Sequence, residues 1–142
     1  MPLVRIDLIQ HRSQAETKLV ADAIHEALVH VLGIPPRDRF QIITSHSPEN
    51  VIAQDAGLKF ERSRQVVMLQ IFTQAGRSSE VKQQLFAELA SRLAEIGIAG
   101  EDLFVGIVEN SPNDWSFGFG RAQYLTGDLQ VPALTSQGAA AL

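Results

Sequence analysis

The residue with the widest chemical options in this chain stands at position 2. In MPLVRIDL, Pro2 follows the initiator methionine directly. Methionine is normally trimmed when the next residue is as small as proline, and the new terminus would be a secondary amine on a pyrrolidine ring. An α-amino group titrates at about 7.7–8.0, and a secondary amine is somewhat more basic. Burial lowers such a pKa and a neighbouring carboxylate raises it. The nitrogen can therefore serve as a general acid, a general base or an iminium-forming nucleophile. The plainer alternative is a strand that begins on a residue with no ladder hydrogen bond to give.

Other chemistries lack their residues. The chain has no cysteine, hence no disulfide framework, thiol nucleophile or thiolate metal site. His11, His25, His30 and His46 include no His-x-x-x-His pair, and His25 and His30 fall on different faces of one helix, so no metal site is expected. There is no Gly-x-Ser-x-Gly elbow for a serine nucleophile. The GFG within SFGFGRA is too short for a phosphate loop and reads as a turn, and no cofactor is expected. A net charge of −4 gives no basic stripe for nucleic acid. No apolar run approaches the roughly 18 residues of a membrane span, and the amino end lacks a signal-peptide layout. The expectation is a cytoplasmic protein whose first residues belong to the fold.

Something must hold that terminus in place. In VRIDLI, Val4, Ile6 and Leu8 alternate with Arg5 and Asp7, the period of a strand with one buried face. Ser13 and Glu16 form a capping box ahead of a helix. Its apolar stripe runs through Leu19, Ala23, Ala27 and Val31, with Val20, Ile24 and Leu28. Gly33 suits a left-handed C′ position, Pro35-Pro36 prevents continuation, and DRFQIIT from Asp38 reads as a second strand. The plan then repeats. VVMLQIFT (66–73) is a continuous apolar strand. A helix follows with Val81, Leu85, Phe86, Leu89 and Leu93 on one side, and LFVGIVEN (103–110) closes the unit.

Arg12-Ser13 corresponds to Arg77-Ser78, Gly33-Ile34 to Gly97-Ile98, and Asp38-x-Phe40 to Asp102-x-Phe104. We read a single domain over 1–142 with pseudo-repeats at about 2–45 and 66–110. The fold class is α/β (α+β): duplicated β-α-β units giving a four-stranded core sheet with two helices on one face. The other face has no helix to cover it, so self-association is expected. The segment between the repeats reads as loop with one short strand. The C-terminal segment, 111–142, holds the only Trp and the only Tyr, and its last dozen residues are expected to be unordered or draped on a neighbour.

The stretches PLVRIDLI, PPRDRFQ, ERS at 61–63, GRSSEVK and above all VENSPNDWSFGFGRAQYLTGDL resemble the tautomerase superfamily, and within it the malonate semialdehyde decarboxylases. The likeness runs from residue 2 to about 129. It implies two β-α-β units in a homotrimer, no cofactor, Pro2 as the catalytic amine and Asp38 as its polar partner. The decarboxylase pattern has two arginines, one residue apart, at the end of the third strand. Here Gln74 stands in the first place, and Arg77 follows after a one-residue insertion in TQAGR.

With that resemblance, Arg77 is a candidate to grip a substrate carboxylate with two parallel N–H bonds, beside the anion-favouring amides behind Ser78. Thr73 and Gln74 are neutral hydrogen-bond candidates. Trp115, Phe117 and Phe119, spaced by two, would share one face of a strand and form an aromatic wall; Tyr124, in the same motif, joins them as a substrate-binding candidate. The reaction implied is loss of CO2 from malonate semialdehyde. The alternatives are keto–enol tautomerisation of a small 2-oxo acid with Pro2 as base, hydration or dehalogenation of a three-carbon unsaturated acid, and a trimeric binding scaffold without catalysis.

Overall fold

The computed structural model describes residues 1–133 of the 142-residue chain. Strand β1 spans Pro2–Ile9, helix α1 Gln14–Leu32, and strand β2 Phe40–His46. The second unit is β3 Val67–Gln74, α2 Ser79–Glu95 and β4 Leu103–Asn110, followed by a one-turn α3 at Gln123–Thr126. The sheet order is β2-β1-β3-β4. β1 runs parallel to β2 and β3 parallel to β4, while β1 and β3 are antiparallel at the centre.

The caps are where the sequence puts them. Ser13 and Glu16 close the capping box, Gly33 ends α1 at φ 66°, and the Ser78 side chain accepts from the Val81 amide at the start of α2. In the antiparallel register Val4 faces Ile71, Ile6 faces Leu69 and Leu8 faces Val67. All six therefore point to one side of the sheet, where Ile24, Leu28, Leu85, Leu89 and Leu93 of the two helices meet them. Each such fully buried side chain contributes about 1.5–3 kcal/mol of transfer free energy.

Two helix positions differ from the reading above. Leu19 is half exposed and Phe86 lies at the solvent edge, because the apolar stripe is broader than the arc the sheet can cover. Between the units there is no strand among residues 47–66; Pro48–Asn50 forms a 3₁₀ turn and the rest is irregular. No described helix is long and apolar enough to cross a membrane. The expectation for the tail concerns residues that, from 134 on, lie outside the described range.

The sheet's second face carries Phe40, Ile42, Phe104 and Val108, each more than a third exposed, around the polar Arg5, Asp7 and His46. This topology also concentrates chain segments at one end of the sheet. The start of β1 lies beside the end of β3, with Pro2 opposite Thr73. The start of β2 lies on its other side, with Leu3 beside Phe40, and the end of β4 brings Asn110 next to Gln74.

Candidate active site

Asp38 reaches the start of β1 because a tight turn precedes β2. Its amide donates to the Pro35 carbonyl at 2.9 Å, and the buried His25 ring pins the same turn through Pro36 O at 2.7 Å. The carboxylate Oδ2 lies 3.4 Å from the α-amino nitrogen of Met1, with both side chains well shielded from solvent. Burial pulls that amine's pKa below 8.0; Asp38 opposes the fall and Arg77 adds to it.

The carbonyl of Met1, whose carbon is bonded to the Pro2 nitrogen, accepts a hydrogen bond from Thr73 Oγ1 at 3.1 Å. Behind Thr73, Arg77 Nη1 donates to that same Oγ1 at 3.0 Å and to Gln74 O at 3.4 Å. Its guanidinium pKa is lowered by burial, against the pull of Glu109, Tyr124 and Asp38. Gln74 is 1% exposed and gives its Nε2 to Pro132 O at 3.0 Å, which ties the chain after α3 back to the end of β3. Among the described residues, Arg77 Nη2 and Gln74 Oε1 are buried without a partner. An unsatisfied group of this kind costs about 1–3 kcal/mol, more when charged; Arg12 Nη1 and Gln84 Oε1 are in the same state elsewhere in the fold.

Two of the three aromatic residues come together. Trp115 stacks on Phe117 at 6.2 Å, and Phe117 meets Tyr124 edge-on at 5.2 Å and Phe40 at 5.9 Å. Trp115 Nε1 donates to Asn110 Oδ1 at 2.9 Å, and the buried Gln123 amide clamps the segment through Phe117 N and Gly118 O. Phe119 does not join them. Residues 115–119 are not a strand; Phe119 sits at φ 59° on the tip of a tight turn, between Gly118 and Gly120, and is 99% exposed. Positive φ at successive residues turns the chain outward, so the spacing of two no longer selects one face.

A cavity of about 290 Å³ opens here, lined by Met1, Asp38, Phe40, Phe117, Tyr124 and Leu129 among others. Thr73, Gln74, Arg77 and Trp115 stand behind that lining. Burial, with Asp38 nearby, pushes the Tyr124 hydroxyl up to about 12, so it remains a neutral donor. Among the described residues no group of three or more His, Cys, Asp or Glu side chains is placed to hold a metal ion. Phe40 and Leu129 went unnoticed as site residues in the sequence. Phe40 had a signal, since it lies two residues beyond Asp38 and begins the strand that pairs with β1; Leu129 closes the VENSPNDWSFGFGRAQYLTGDL stretch, but no spacing singles it out there.

A fold of two β-α-β units with its amino end buried beside an aspartate defines a class. The chain belongs to the tautomerase family: tautomerase enzyme models match residues 2–61 and 38–118. The curated protein described as probable tautomerase YrdN of Bacillus subtilis (strain 168) is 45% identical over 130 residues, covering 91% of this chain and all of that one. Among solved structures, FG41 malonate semialdehyde decarboxylase inhibited by 3-bromopropiolate is 58% identical with a TM-score of 0.89, covering 92% of this chain and 99% of its own. A second malonate semialdehyde decarboxylase, described with decarboxylase and hydratase activities, is 41% identical with a TM-score of 0.86, covering 89% and 98%.

Proposed function

We propose that this chain, once Met1 is removed, decarboxylates malonate semialdehyde (3-oxopropanoate) to acetaldehyde and CO2 without a cofactor. The observation that carries this reading is the placement of Met1 itself. Its carbonyl sits on the Pro2 nitrogen, its oxygen is held by Thr73, and its amine lies against Asp38. Removal of Met1 frees the Pro2 nitrogen and vacates the space in which a substrate carbonyl would meet the same groups. The 58% identity to a malonate semialdehyde decarboxylase supports the substrate class.

Decarboxylation breaks the bond between the carboxylate and C2, and the electron pair moves toward the carbonyl carbon. Pro2 can serve this in two ways. A protonated Pro2 hydrogen-bonds the aldehyde oxygen and gives it a proton as CO2 departs, and the resulting enol becomes acetaldehyde when C2 takes up a proton and the hydroxyl returns its own to Pro2. Alternatively Pro2 adds to the aldehyde with loss of water, the iminium accepts the pair to become an enamine, and C2 takes up a proton. Hydrolysis then returns acetaldehyde and the free amine. Asp38 favours the cationic nitrogen in both routes. Arg77 Nη2, with Gln74 beside it, is the candidate for the carboxylate end. The Phe117–Tyr124 wall disfavours a localised carboxylate relative to the charge-dispersed transition state.

The same corner supports one competing reading, because burial depresses the pKa of an amine placed there. A neutral Pro2 would be a base for keto–enol tautomerisation of a small 2-oxo acid. Titration of the Pro2 nitrogen by ¹⁵N NMR, alongside product analysis with malonate semialdehyde, separates the two. A pKa well above neutral with acetaldehyde formed supports decarboxylation; a pKa near 6 without acetaldehyde overturns it. On this reading the chain works as a homotrimer that covers the apolar second face of the sheet, and a monomeric mass by light scattering would contradict that part.

A further inference from the structure

A threonine hydroxyl has one proton to give and two lone pairs to receive with. At Thr73 both functions are engaged in one line. Arg77 Nη1 donates into Oγ1 at 3.0 Å, and Oγ1 lies 3.1 Å from the carbonyl oxygen carried on the Pro2 nitrogen. Because the arginine can only donate, it takes a lone pair and leaves the hydroxyl proton to point at that carbonyl. The register fixes the distance, since Thr73 is the residue directly opposite Pro2 across the antiparallel pair. Thr73 is 4% exposed, so water does not compete for the proton, and a charge at the head of such a chain polarises the bond after it.

We propose that Arg77 is a positioning residue that acts through Thr73, orienting and polarising its hydroxyl as the donor to the carbonyl oxygen of the substrate. This rests on the first of the two routes proposed above, in which the aldehyde oxygen is retained and gains negative charge as CO2 leaves. The carbonyl of Met1 stands where the substrate's would be, so the relay exists before any substrate binds and can be tested without one. It separates the two guanidinium nitrogens: Nη1 sets the hydroxyl, and Nη2 is buried without a partner among the described residues.

The substrate-free test uses the Met1-retaining chain, made with the cell's methionine aminopeptidase inhibited and labelled with ¹³C at the methionine carbonyls. The chain has two methionines, so Met68 within β3 serves as an internal reference in the infrared spectrum. Thr73→Val should move the Met1 carbonyl band to higher wavenumber, and Arg77→Met should move it the same way. The double variant should move it no further than Thr73→Val. An Arg77→Met band at the wild-type position overturns the relay, whatever the substrate proves to be.

In the trimmed enzyme, each single substitution should lower kcat about 100-fold, the typical loss of one donor to a developing oxyanion. The double variant should lose no more than either, and Arg77→Lys should recover part of the loss. Multiplying losses, or an Arg77→Met effect confined to KM, would show that Arg77 serves the carboxylate alone. A chain that forms no acetaldehyde yet shows the band shifts would retain the relay and lose the decarboxylase reading.

Discussion

The duplication places two aspartates in the same turn of the two units, and the chain has treated them differently. The amides of Asp38 and Asp102 bond back to Pro35 O and Ala99 O at 2.9 and 3.0 Å, so the local backbone is alike. Asp102 is then saturated by its own chain: Ser63 N and Ser63 Oγ each reach it at 2.6 Å. Arg62 covers that corner by donating to Gln54 O and Glu101 O, with its guanidinium over Phe60 and Phe104. Arg12, the counterpart of Arg77, bonds Gln65 O at 2.8 Å, and no hydroxyl stands where Thr73 does. Among the described residues, the ion-pair partner of the Asp38 carboxylate is the terminal amine at 3.4 Å, and Asp38 lines a cavity. One corner is filled by the linker that leads into β3, and the other is entered from Met1. The same sequence pattern thus becomes structure in one copy and a candidate site in the other.

The comparison breaks most visibly at Pro2. Pro2→Ala should reduce kcat/KM by about 10²–10⁴, the range for a positioned acid or base, and unchanged turnover of every small oxo acid tried would end the catalytic reading. Exchanging the aspartates comes next. Asp38→Asn should cost about 100-fold in kcat with an unaltered melting curve, since it removes the charge that favours protonated Pro2. Asp102→Asn should do the reverse, lowering unfolding free energy in a denaturant titration by about 1.5–3 kcal/mol while leaving activity per folded molecule intact. Equal effects of the two on activity would erase the distinction between the corners.

A smaller effect sharpens the picture of the cavity wall. Tyr124 is the only tyrosine, so its ionisation can be followed by absorbance. It should titrate near 12 rather than 10, and its neutral form's contribution to stability should decline as pH rises from 10 to 12, the interval in which the unfolded chain has already lost that proton. A midpoint at 10 would mean a solvated ring. The smallest effect belongs to Phe119→Gly. Catalysis should be unchanged, with stability raised by about 1 kcal/mol as a left-handed non-glycine residue is relieved.

What the sequence revealed and what it hid divide along the range of the interactions. Alternation in β1, the Ser13–Glu16 box and Gly33 are set by neighbours within four residues, and the duplication could be read because those local signals recur. The gathering of Asp38, Thr73 and Arg77 at the amino end followed only with the help of family resemblance. The bond from Gln74 to Pro132, 58 residues away, left no trace in pattern or spacing. Phe119 was misplaced because a period of two means one face only in extended backbone, and Gly118 and Gly120 flank it with positive φ. Leu19 and Phe86 show the limit of a helical stripe, which marks what can be buried rather than what the sheet has room to cover.

The central claim is that the freed nitrogen of Pro2 performs the chemistry. With Met1 in place that nitrogen is a tertiary amide, neither basic nor nucleophilic. The most direct measurement is therefore acetaldehyde formation from malonate semialdehyde by two preparations of the wild-type sequence, one trimmed and one retaining Met1, each verified by intact mass. The trimmed protein should form acetaldehyde and CO2, and the Met1-retaining protein should form neither. Equal turnover by both would contradict the account.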